Sequence, residues 1–166
     1  MQRQEDYHRG MGAHPDADRA AAIMVGTTAV ERIRELRWRV LRASLPRESA
    51  VFPGDSDASS VHLAACRGEE VVACASFMAT PYEGQEAYQL RGMATAPAWQ
   101  RQGLGRRLMI HGEGLLRERG VPLLWCNARI IALGFYLGQG WEIRSALFEI
   151  PTAGPHHRMT KRLIPA

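Results

Sequence analysis

The chain has 166 residues, 46% hydrophobic and 23% charged, with a formal net charge of +4. One domain with a true hydrophobic core is therefore expected, needing neither metal nor disulfide to hold it together. Three cysteines with no C-x-x-C pair exclude a four-thiolate zinc site and fit a reducing cytoplasm, and no apolar run approaches the ~20 residues that span a bilayer.

Residues 1–19 mix Gly, Pro, His and charge without periodicity and are expected to form a flexible tail, with a single domain at 20–166. Residues 21–26 suit an edge strand. Thr28-Ala-Val-Glu31 reads as a capping box opening a helix with Val30, Ile33, Leu36, Val40 and Leu41 on one face. Arg32, Arg34, Arg37, Arg39 and Arg42 then read as its solvated face. A loop rich in Pro, Gly, Asp and Ser spans 46–60, followed by strands at 61–66 and 71–79 around a four-residue hairpin, Arg67-Gly-Glu-Glu70. A third strand at 87–95 is stopped by Pro97. Residues 103–119 read as a helix with Leu104, Leu108, Leu115 and Leu116 inward, ended by Gly120 and Pro122. A buried strand at 123–127, a short helix at 129–137 and strands at 141–150 and 157–163 complete the chain. Antiparallel hairpins combined with a β-α-β crossover imply an α/β protein whose mixed sheet carries helices on its faces.

The stretch from Leu90 to Leu108 carries the chemistry, because a strand there runs through a tight loop straight into a helix N-terminus. Gly103 and Gly105 remove side chains where a ligand would lie against the main chain, so unpaired N–H groups and the helix dipole converge on one anion. Arg101, Arg106 and Arg107 stand around it. Neither G-x-G-x-x-G nor G-x-x-x-x-G-K-[ST] is present, and the lone lysine is Lys161, so a hydrolysed nucleotide is not expected. The 20 arginines form no stripe with interleaved aromatics, so a small anionic ligand accounts for the basic excess and nucleic acid is not expected as a partner.

Gln100-Arg-Gln-Gly103-Leu-Gly105 resembles the Q/R-x-x-G-x-G/A signature of the GNAT superfamily of acyl-CoA-dependent N-acyltransferases. A second segment, Ala132-Leu-Gly-Phe-Tyr136-Leu-Gly-Gln-Gly140-Trp141, is similar to the A-x-x-x-Y-x-x-x-G-[FW] stretch after the family's fifth strand. The likeness covers roughly residues 21–164. It implies a mostly antiparallel sheet of about seven strands with a V-shaped splay between the fourth and fifth, and acetyl-CoA as co-substrate without a metal. It also implies cofactor contacts from Met93, Ala94, Thr95, Gln100, Arg101, Gln102, Gly103, Leu104, Gly105, Arg106 and Ala132. Where many members carry an Asn three residues before that Ala, this chain has Arg129, which leaves Asn127 for the same contact.

The resemblance further implies direct attack of an amine on the thioester, with the Met93 backbone N–H at the oxyanion and Tyr136 returning a proton to the thiolate. The base that activates the amine is open among Asp55, Asp57, His62, Glu86, His156 and a water chain, and Asp55, His62, Arg91 and His156 are the candidate acceptor-site residues. The expected acceptor is a small-molecule amine; a protein amine, which should meet an open acidic groove, and a non-catalytic acyl-CoA-binding module are the alternatives. Association into a homodimer stays open. Cys126, Trp125 and Trp141 read as core.

Overall fold

The computed structural model describes residues 22–164; the expected tail at 1–19 lies outside the described residues. Strand β1 (Ile23–Thr27) forms one sheet edge and pairs antiparallel with β2 (Val61–Arg67). The Thr28 amide extends that pairing by donating to the His62 carbonyl at 2.9 Å. This commitment corrects the expected capping box. Helix α1 (Val30–Leu41) starts after Ala29, with no side-chain cap, and Thr28 Oγ1 is buried without a partner. α1 buries Val30, Ile33 and Leu36 as the spacing requires, and also Arg37, which is not on a solvated face.

Between β2 and β3 (Glu70–Ala79) the chain turns on two residues rather than four, since Arg67 already pairs with Glu70 and Gly68 takes a left-handed φ of +57°. β4 (Tyr88–Thr95) pairs antiparallel with β3. Helix α2 (Leu104–Glu118) then crosses over to β5 (Leu123–Arg129), which runs parallel to β4. α2 approaches the sheet closely at Gly112, where a Cβ would fall 2.3 Å from the Phe77 ring. Leu63 and Phe77 thus face α2, while the alternate residues His62 and Ser76 face α1.

β5 continues through Arg129, so the helix expected at 129–137 shrinks to a 3₁₀ turn (Ile130–Ala132) and α3 (Leu133–Leu137). The strand expected at 141–150 divides into β6 (Glu142–Ile143) and β7 (Phe148–Ile150), both antiparallel to β8 (Gly154–Arg162). The break has a local cause. The Arg158 amide donates to the Ser145 hydroxyl at 2.8 Å instead of to a ladder carbonyl. The division gives an eight-stranded sheet, ordered β1-β2-β3-β4-β5-β8-β6 with β7 also on β8, in which β4–β5 is the one parallel pair among the described residues. β4 and β5 pair only at Tyr88–Leu124 and Gln89–Trp125. Beyond these two positions the strands splay apart as expected.

Candidate active site

The splay leaves the β5-facing edge of β4 unpaired just where β4 is also bulged against β3. Cys74 pairs with Ala94 and Ser76 with Arg91, so Gly92 and Met93 both face the single Ala75. Gly92 adopts a φ of +61°, and a Cβ there would lie 2.7 Å from Arg37 Nε and 2.9 Å from the Phe52 ring. Only glycine satisfies both the backbone and that approach. Sequence reasoning missed the bulge, although a glycine inside a strand is its usual signal.

Behind the bulge lies a buried polar network. Arg37 Nη1 donates to Asp55 Oδ1 and Oδ2 at 3.0 and 2.8 Å and to the Ala50 carbonyl at 2.9 Å, while Nη2 donates to Ser76 Oγ at 2.7 Å. Ser76, having accepted from Arg37, donates to His62 Nδ1 at 2.7 Å, and His62 Nε2 donates to the Asp55 carbonyl at 2.9 Å. A carbonyl only accepts, which fixes that tautomer. Asp55 Oδ2 also accepts from the Phe52 amide at 2.9 Å. Asp55 and His62 therefore do not reach an acceptor site: both are buried, off the cleft wall, and committed to bracing the bulge. Asp57 and Glu86 are exposed and also lie off that wall.

The cleft between β4 and β5 encloses about 750 Å³. Its walls include Arg91, Met93, Ala94 and Thr95 on β4, then Gln100, Arg101, Gly103, Leu104, Gly105 and Arg106 at the loop and α2. Opposite them stand Asn127 and Arg129 on β5, then Ala132, Tyr136 and His156. No aspartate or glutamate is among the lining residues. The loop turns sharply because Arg101 and Gly103 have φ of +60° and +77°, and the Cβ side of Gly103 is open space. α2 begins there with no side-chain cap, so its first N–H groups have no side-chain partner. Two glutamines brace the loop from behind: Gln100 Nε2 donates to the Thr95 carbonyl at 3.2 Å and Gln102 Nε2 to the Ala98 carbonyl at 3.3 Å. The Gln102 side chain thus stays off the wall. Arg107 also departs from expectation, since it donates to the Ile23 carbonyl of β1 at 2.7 Å. Gly105 sits where a Cβ would press the Phe135 ring at 3.2 Å, which ties α2 to α3.

Besides Arg129, Tyr136 and His156 are the ionisable side chains on the β5 side of the cleft. Tyr136 is buried, edge-on to Trp141 at 5.3 Å, and hydrogen-bonded to Cys126. Burial first, and Cys126 second, hold its phenol well above the usual range. Burial likewise pushes the Cys126 thiol up to about 12. His156 Nδ1 donates to the Gly154 carbonyl at 2.7 Å, and its ring lines the cleft.

Residues 29–141 match the profile of the acetyltransferase (GNAT) family. The chain belongs to the GNAT family. It is 37% identical over 142 residues to YitI, an uncharacterized N-acetyltransferase of Bacillus subtilis (strain 168), covering 84% of this chain and 95% of that protein. The fold is shared with an aminoglycoside 6'-N-acetyltransferase complexed with coenzyme A, at 14% identity and TM-score 0.70 over 86% of this chain and 98% of that one. It is shared too with an acyl-CoA N-acyltransferase from Pseudomonas aeruginosa, at 19% identity and TM-score 0.67 over 84% and 99%. This GNAT enzyme is thus an N-acetyltransferase of a family whose acyl donor is acetyl-CoA, and its cleft suits that donor. The glycine loop offers amides and open space to phosphates, the β4 edge is unpaired, and Asn127 Oδ1 is buried in the wall without a hydrogen-bond donor. Among the described residues no helix is long and apolar enough to cross a membrane.

Proposed function

We propose that this enzyme acetylates the primary amine of a small molecule by direct attack, with acetyl-CoA and the amine held together in the β4–β5 cleft. One observation carries the reading: a single cavity of about 750 Å³ joins the glycine loop, the bulged β4 edge, Tyr136 and His156. In it the amides of residues 102–106, with Arg101 and Arg106, hold the donor's phosphates, and Ala94 and Thr95 receive its amide arm as an added strand would. The Met93 N–H stabilises charge developing on the thioester oxygen. His156 Nε2 takes a proton from the attacking ammonium, whose ordinary pKa lies near ~10. As the new C–N bond forms and the C–S bond breaks, Tyr136 gives its phenolic proton to the departing sulfur, and the second proton lost by the nitrogen restores the phenol, leaving the amide and the free thiol of CoA.

A protein acceptor is disfavoured because the cleft lacks the acidic lining expected of it. An acyl-enzyme is disfavoured because Cys126, with its thiol pushed up to about 12, stays un-ionised at neutral pH. The test is Gly103→Glu, whose side chain would enter open space in the phosphate path. CoA affinity should fall at least tenfold by calorimetry, about 1.4 kcal/mol. Unchanged affinity in the folded variant overturns the phosphate loop. Incubation with acetyl-CoA alone should leave the protein's mass unaltered; a gain of one acetyl group, removed by added amine, overturns direct transfer.

A further inference from the structure

We infer that the acceptor amine carries an anionic group, a carboxylate or a phosphate, received by Arg91 and Arg42 beside the Phe52 ring. This inference rests on the proposed reaction and names the class of its acceptor. The phosphate loop follows Met93 in the chain, whereas Arg91 precedes it on the same strand, so the two ends of the slot have different occupants. A donor held at residues 93–106 leaves the acceptor to enter past Arg91, Arg42 and Phe52, all of which line the cavity.

Charge at that end is unbalanced. The guanidinium carbons of Arg37, Arg91 and Arg42 stand 4.3, 4.6 and 5.6 Å from the centre of the Phe52 ring. Arg37 is neutralised by the buried Asp55 carboxylate at 2.8 Å. Among the described residues neither Arg91 nor Arg42 forms an ion pair, and Asp55, the nearby acid, already spends both oxygens on Arg37 and the Phe52 amide. Arg91 is half-buried, and burial, followed by repulsion from Arg37 and Arg42, lowers its pKa despite the opposing pull of Asp55. An anion arriving there relieves both costs, and a guanidinium fork matches a carboxylate or phosphate in two parallel hydrogen bonds. A polycationic amine would instead find two positive groups and no acid on the wall. Arg91 stands only two positions before Met93 on β4, across the bulge at Gly92, which leaves room for no more than a short tether between the amine and its anionic group. The class is therefore small, in the manner of an amino acid or an aminoalkyl phosphate.

The test compares matched amines on the purified enzyme: amino acids with their amides and decarboxylated amines, and aminoalkyl phosphates with the parent amino alcohols. The anionic member of each pair should show at least tenfold higher kcat/KM, and which series responds identifies the anion as carboxylate or phosphate. Arg91→Gln, and separately Arg42→Gln, should remove that preference mainly through acceptor KM, leaving CoA affinity unchanged. A preference for neutral or cationic amines, or an equal loss on all acceptors in both variants, overturns the inference. A second measurement separates it from the reaction itself: calorimetry of N-acetyl amino acids and N-acetyl aminoalkyl phosphates against their uncharged counterparts, with CoA present. Tighter binding of the anionic ligands, abolished by Arg91→Gln, supports the inference even if no amine of the panel is acetylated; equal binding overturns it.

Discussion

His156 and Tyr136 reach the cleft from different elements and are given opposite proton tasks by the proposed reaction, so their variants should fail in different ways. Tyr136→Phe should lower kcat about 10²-fold with little change in CoA binding, because the lost proton matters only as the C–S bond breaks. Since Tyr136 is raised well above 10, it remains a donor throughout the working range and adds no alkaline limb to the rate profile there. His156→Gln should lower kcat most near neutral pH and recover toward pH 10, where the amine loses its proton unaided. Rates measured from pH 6 to 10 distinguish the two. A flat loss in the His156 variant would remove it as the base. At this scale the sharp loop at Arg101 and Gly103 and the uncapped start of α2 were legible in the sequence, because glycines act through local backbone that a motif records. Asp55 and His62 were misread for the opposite reason: what engages Asp55 is Arg37, 18 positions away in the chain, and what engages His62 is Ser76, 14 positions away.

Among elements, the segment at 46–60 does more than connect α1 to β2. It delivers Ala50, Phe52 and Asp55 to Arg37, and that assembly presses on the bulge at Gly92. Asp55→Ala leaves a buried guanidinium without its counter-charge and should cost about 3–5 kcal/mol of stability. Urea unfolding measures it; a cost below about 1 kcal/mol would mean the network contributes little. The double variant Arg37→Met with Asp55→Ala should be less destabilised than Asp55→Ala alone, since neither charge is then stranded. The phase of α1 held the clue. Arg37 follows Ile33 by four residues and so lies on the helix's apolar stripe. Arginine there implies a buried acid, but the sequence could not say which, because the partner comes from an irregular loop whose path no periodicity encodes.

For the whole molecule, the hairpins and the crossover followed from alternation and turn residues, which are local signals, whereas the splay was expected from the family resemblance. The split of β6 from β7 did not, since one serine hydroxyl replacing one ladder carbonyl leaves no trace in the hydrophobic pattern. Stability against alkali is also a property of the whole. Cys74 and Cys126 both rise from 9.0 to about 12 by burial. Between those values the unfolded chain has released both thiol protons while the folded chain keeps them, so stability is intact below pH 9 and falls as pH rises. Each thiol contributes a slope of about 1.4 kcal/mol per pH unit. Urea titrations between pH 9 and 10, below the range where the buried Tyr136 phenol adds to the slope, should show this decline, roughly halved in Cys126→Ala; an unchanged slope in that variant would exclude the thiol as its source.

The chain's lone lysine ties β8 to α2. Lys161 Nζ lies 2.7 and 2.9 Å from the two carboxylate oxygens of Glu113, which is itself 4% exposed. All other basic side chains apart from histidine are arginines, whose guanidinium keeps its proton and does not attack a thioester. An enzyme that works beside a reactive acyl donor thus offers that donor no free side-chain amine of its own. Its arginine charge is not eroded by the reagent it handles, and its one side-chain amine is met already paired with a carboxylate.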